Sequence, residues 1–131
     1  MSAKLGRVAG AGVLAAVLFV AGASTSAIAA TARTAGAHQV AIVANQTGLL
    51  KYTKSSITTT PGSVTIVFTN KSPLGHDVVL VNSKNKILGK TPVFDHGTKS
   101  FKVTLTAGKY TYYCSVPGHR QAGMQGTLTV S

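Results

Sequence analysis

The chain has 131 residues, 13 of them basic and 2 acidic, a formal net charge of +11, and a single cysteine. One cysteine rules out an internal disulfide, and two lone carboxylates, Asp77 and Asp95, offer no obvious catalytic triad or acid–base pair. The excess of cations predicts partners with acidic surfaces, whereas lysines scattered from Lys51 to Lys109 argue against nucleic acid.

At the start, Lys4 and Arg7 precede an apolar run, Val8 to Val20, and small residues lead to Ala27-Ile28-Ala29. That pattern predicts a secretory signal peptide over residues 1–29, cut after Ala29, and a protein exported to the periplasm or to the cell surface and beyond. The alternative is a retained anchor, since Val8–Ala23 carries no charge, although it falls short of the usual span of about 20 apolar residues. No cysteine lies near the cleavage region to take a lipid. Residues 30–37 are small and polar without periodicity, which predicts a flexible arm. Residues 38–131 then form one domain with its own core.

Within that domain the strand signals are short and regular, with little helical periodicity. Gln39–Ala44 is apolar and β-branched, and Leu50–Tyr52 with Ser56–Thr60 reads as a broken strand that stops at Pro61-Gly62. Val64, Ile66 and Phe68 alternate onto one face, as do Phe101, Val103 and Leu105. Asp77–Val81 is strand-like, Asn82 to Gly97 is a loop with a short edge strand, and Thr106–Lys109 reads as a hairpin connection into the next strand. Seven to eight strands without a helix predict an all-β sandwich.

The densest chemistry lies in Tyr110–Met124. Tyr110 to Cys114 has the look of a strand, and Ser115 to Gly123 carries the Pro117-Gly118 pair and a further glycine. Cys114 therefore ends a strand, with His119 five residues on and Met124 five beyond it. A thiolate with imidazoles suits copper, zinc or iron; a thioether added as a weak ligand points to copper. Type 1 copper geometry needs a second histidine, and His38, His76 and His96 are the candidates. His76 is best placed, just ahead of a strand and after the turn-like Lys71-Ser72-Pro73-Leu74-Gly75. Strand alternation puts Tyr110, Tyr112 and Cys114 on one face and Tyr113 on the other.

Asn70 to Leu80, followed by Tyr113-Cys114-Ser115-Val116-Pro117-Gly118-His119 and Gly123-Met124, resembles the cupredoxins, the small blue copper proteins that include plastocyanin, pseudoazurin, azurin and auracyanin. The resemblance runs from about Gln39 to Ser131 and includes the closing strand Gly126–Val130. It implies a Greek-key β-sandwich in which His76, Cys114, His119 and Met124 bind one copper ion cycling between Cu(I) and Cu(II). It further implies that His119 lies near the surface in an apolar patch, here Leu74, Gly75, Pro117, Gly118 and Ala122, through which electrons pass. Several family members have asparagine where Asp77 stands, tying the two ligand loops together through the residue after the cysteine, here Ser115. The expected protein is a monomeric electron carrier, not an enzyme, that meets a redox protein with an acidic docking surface. With Lys4 and Arg7 removed, 11 basic residues face 2 acidic ones, and the resulting +9 also predicts peripheral association with an anionic membrane or cell wall. Two rival readings are a copper-scavenging or copper-delivery protein of the same fold, and a metal-free β-sandwich that adheres to anionic surfaces.

Overall fold

Alternation of inward apolar and outward polar side chains organises the strands of this protein. The computed structural model describes residues 37–131; the expected leader, its anchor alternative and residues 30–36 of the arm lie outside the described residues. Eight strands follow: β1 (His38–Val43), β2 (Ser56–Thr59), β3 (Gly62–Asn70), β4 (Val79–Val81), β5 (Ile87–Lys90), β6 (Gly97–Leu105), β7 (Gly108–Tyr113) and β8 (Gln125–Val130). They form a three-stranded sheet in the order β1-β3-β6 and a five-stranded sheet in the order β2-β8-β7-β4-β5. β1 runs parallel to β3 and β2 parallel to β8, while the remaining pairs are antiparallel. Among the described residues no helix is long and apolar enough to cross a membrane.

The core lies between the sheets. Val64, Ile66 and Phe68 of β3 are fully buried and face Leu80, Tyr112 and Leu128 of the larger sheet. Each side chain of this size contributes about 1.5–3 kcal/mol by leaving water, so the facing rows make a stiff frame for whatever the strand ends carry. Phe101 and Val103 are only partly buried, because β6 is the edge of its sheet. Tyr112 packs so tightly over β8 that a Cβ on Gly126 would lie 2.3 Å from its hydroxyl oxygen. Only glycine fits there.

Three local expectations are corrected. Thr106–Lys109 does not close a hairpin: β6 pairs with β3, whereas β7 pairs with β4 and β8, so this connection passes from one sheet to the other. Leu50–Tyr52 is not a strand, and Tyr52 makes only an isolated bridge to Ala44. The strand expected from Asp77 begins at Val79; upstream of it, His76 bridges to Phe94, and Val78 bonds to Thr91 through main chain and hydroxyl.

Candidate metal centre

The segment carrying His76 is shaped by a buried knot. Asn70, at the inward-facing end of β3, donates to the carbonyls of Leu74 and Phe94 (2.8 and 2.7 Å) and accepts from the Ser72 amide (2.9 Å). A buried amide with its bonds satisfied on both sides of the segment fixes the path of residues 70–75. His76 follows, wholly buried, its amide donating to the Phe94 carbonyl and its carbonyl accepting from the Phe94 amide (both 3.1 Å).

Cys114 comes directly after β7, on the inward face shared with Tyr110 and Tyr112. Beyond it the chain coils through a compact turn in which the His119 amide donates to Val116, the Ala122 amide to Gly118 and the Met124 amide to His119 (each 3.0 Å). Gly118 takes φ +84°, a left-handed conformation open to glycine and costly for most other residues. The turn closes where the Cys114 amide donates to the Met124 carbonyl (3.1 Å), joining its two ends.

These paths bring His76, Cys114 and His119 into one cluster. The two histidine Nδ1 atoms are 3.1 Å apart, and Cys114 Sγ lies 3.5 Å from Nδ1 of His119 and 3.9 Å from Nδ1 of His76. Bonds of about 2.0 Å to nitrogen and 2.3 Å to sulfur at trigonal angles set donor–donor edges of about 3.5 Å between nitrogens and about 3.7 Å between nitrogen and sulfur, within about 0.4 Å of those found. The observed triangle therefore fits one ion. Met124 is fully buried next to it in the chain's fold-back, and with it the donor set matches a single type 1 copper site. His38, bonded to Thr60, and His96 are exposed and take no part.

Burial sets the electrostatics. It pushes the Cys114 thiol up, and it pulls His76 below the usual imidazole range, with His119 adding to that effect. His76 is thus held neutral, with a free lone pair to offer a cation. Its Nε2 is buried without a hydrogen-bond partner, so the ring is oriented by packing and by its main-chain bonds. The Asp77 carboxylate accepts from the Ser115 amide (2.6 Å) and hydroxyl (2.5 Å), which ties the residue after His76 to the residue after Cys114.

Around half-buried His119 the expected patch is exposed at Leu74 (43%), Pro117, Gly118 and Ala122, with Gly75 partly so. Val93, 52% exposed and against Gly75, extends it. Val93 and Phe94 went unnoticed in the sequence because Thr91–His96 has no periodicity; the only available signal was a Pro-Val-Phe run out of place in a polar loop. Tyr113 lies on the opposite sheet face from Cys114, and the Arg120 guanidinium stacks on its ring, 4.1 Å from the centroid.

Residues 38–131 match the family described as copper binding proteins, plastocyanin/azurin family. Comparison with curated protein sequences finds no significant match. Among solved structures, auracyanin A, a "blue" copper protein from Chloroflexus aurantiacus, is 27% identical with a TM-score of 0.65, the match covering 73% of this chain and 100% of that one. Dithionite-reduced auracyanin from Roseiflexus castenholzii has a TM-score of 0.66 at 23% identity, over 73% of this chain and 99% of its own. A purple cupredoxin from Nitrosopumilus maritimus has a TM-score of 0.54 at 24% identity, over 70% and 99%. The last two likenesses establish a shared fold.

Proposed function

This chain belongs to the plastocyanin/azurin family of copper-binding proteins, and we propose that His76, Cys114, His119 and Met124 would hold one copper ion in an exported carrier that shuttles single electrons between larger redox proteins. The observation that carries the ligand assignment is the triangle of two Nδ1 atoms and one Sγ, buried at the end of a stiff sandwich.

Bound copper supplies one reversible electron between Cu(II) and Cu(I). The chain's own residues do the rest. His76 and His119 present neutral imidazole nitrogens. Burial disfavours the Cys114 thiolate, and a bound cation would offset that cost. The bonds from Phe94 to His76 and from Met124 to Cys114, with the Asp77 clamp on Ser115, hold the donors in one arrangement. A frame that does not rearrange when the ion's charge changes keeps the barrier to electron transfer low.

His119 is the exit in this reading, since it is the one imidazole of the cluster that is partly exposed, among Leu74, Val93, Pro117 and Ala122. Arg120 and Lys71 flank the patch in sequence and supply the attraction for an acidic partner. The leader expected over residues 1–29 supports a site of action in the periplasm or outside the cell. The test is a visible spectrum of the copper-loaded protein. Intense charge-transfer absorption in the wild type, lost in Cys114→Ser, is expected. A wild type that takes only zinc, or a serine variant that keeps its colour, overturns the assignment.

A further inference from the structure

We propose that Tyr52 is a positioning residue for the metal centre, holding the His76-bearing segment through the main-chain carbonyl of Asp77. The proposal rests on the copper-site reading above, and it concerns a residue on a different loop from any ligand.

Tyr52 lies late in the long connection between β1 and β2, outside any strand. Its main chain is pinned to the end of β1: the Thr53 amide donates to Val43 (2.8 Å) and the Asn45 amide to the Lys51 carbonyl (2.9 Å). From there the side chain crosses the core. The ring meets Phe68 edge-on at 6.0 Å and Tyr112 at 5.4 Å, and the hydroxyl donates to the Asp77 carbonyl at 2.6 Å. Tyr52 is 7% exposed and Asp77 2%, so this bond is sealed from water.

Within residues 76–78 the Asp77 carbonyl bonds to a side chain from outside the 91–94 loop, that of Tyr52. His76 bonds Phe94 in both directions, and Val78 bonds Thr91 in both. Those contacts hold the segment from one side, and Tyr52 holds it from the other. Asp77 is also the residue whose carboxylate grips Ser115, so a rotation of its peptide shifts the clamp on the Cys114 side as well. Without the hydroxyl, a buried carbonyl loses its partner. The peptide is then free to turn toward another donor, and His76 and Ser115 turn with it. Burial raises the Tyr52 pKa far above its ordinary value, which keeps the phenol protonated and donating.

Tyr52→Phe isolates the effect, because the ring packing stays and only the donor goes. Leu105→Val is the control, a core change at the last position of β6, paired with Gly62 at the opposite end of the sheet from the ligand segment. Each protein is loaded with copper(II) and examined by visible and electron paramagnetic resonance spectroscopy and by voltammetry, and each is loaded separately with zinc for amide hydrogen exchange. The expected result is a shifted charge-transfer band, copper hyperfine splitting and potential in Tyr52→Phe, with all three unchanged in Leu105→Val. In the zinc form, Ser115 amide exchange should accelerate about tenfold in Tyr52→Phe, the factor of one buried hydrogen bond, beyond any change at Ile66 in the middle of β3. A Tyr52→Phe protein that melts earlier but keeps the wild-type spectrum, potential and Ser115-to-Ile66 exchange ratio overturns the proposal, as does an equal spectral shift in Leu105→Val. If the wild type has no type 1 spectrum, the copper-site reading fails by itself, and the exchange ratio in the zinc form still decides the role of Tyr52.

Discussion

Asp77→Asn tests how a buried charge next to the centre sets its potential. Asn and Asp are nearly isosteric, so the side-chain oxygen can still accept from the Ser115 amide, while the new amide nitrogen faces the Ser115 hydroxyl, which can turn to accept. The clamp therefore survives and the formal negative charge disappears. Asp77 is 2% exposed, adjoins His76 in sequence and bonds to the residue after Cys114. A unit charge acting over about 5–10 Å at an effective dielectric near 20 is worth roughly 1.7–3.3 kcal/mol. At 59 mV per tenfold change in a one-electron equilibrium, that range corresponds to about 70–140 mV. A negative charge favours the more positive ion, so its removal should raise the potential. The loss of charge assistance in two hydrogen bonds should also cost about 1 kcal/mol. For a domain of this size that corresponds to a Tm lower by about 4–8 °C. Protein-film voltammetry and thermal melts of the same preparations provide the readings. A potential that is unchanged or lower in Asp77→Asn would refute the reasoning, because it would mean that the carboxylate exerts no net field on the centre.

Met124→Leu should keep a coloured site and raise the potential, because removing a donor disfavours Cu(II) more than Cu(I); Met124→Gln should lower it through a harder oxygen. Unchanged voltammograms in both variants would mean that Met124 is not a ligand. Arg120→Glu should slow electron transfer to an acidic redox protein more than Lys54→Glu, since Arg120 is stacked on Tyr113 and bonded to Gln125 next to the ligand turn. Stopped-flow traces over a salt series check this, with the difference fading as the Debye length shrinks to about 8 Å; equal slowing by the two changes would leave only nonspecific attraction. Gly126→Ala drives a methyl group into Tyr112, whose hydroxyl also donates to the Lys54 carbonyl (2.6 Å). Overpacking of this kind costs about 1–3 kcal/mol, and loss of the tyrosine bond adds to it, so urea unfolding should show a fall of at least about 2 kcal/mol. A variant as stable as wild type would mean that the Tyr112 ring has room to move.

Much of the site can be read along the chain. Cys114, His119 and Met124 are ten residues apart end to end, and their order in a glycine-bearing turn after a strand is local information. Alternation is equally local, because successive side chains on extended backbone point to opposite faces; hence the inward row of Val64, Ile66 and Phe68 and the opposed directions of Tyr113 and Cys114. Partner choice is not local. The Thr106–Lys109 connection has the residues of a tight turn in either case, and only the packing of the two sheets decides that β7 joins β4 and β8 and leaves β6 to β3. The same limit hid Phe94 and Val93, which lie in an aperiodic loop and reach His76 and Gly75 by crossing from another part of the fold. It also hid Tyr52, whose partner is 25 residues away in sequence. Which donor atoms exist, and which face each strand turns inward, were legible along the chain, since both follow from residue type and backbone period. What holds those donors at 3.1–3.9 Å from one another emerges only from the packed fold, because the hydrogen bonds that do so join segments that no short-range pattern connects.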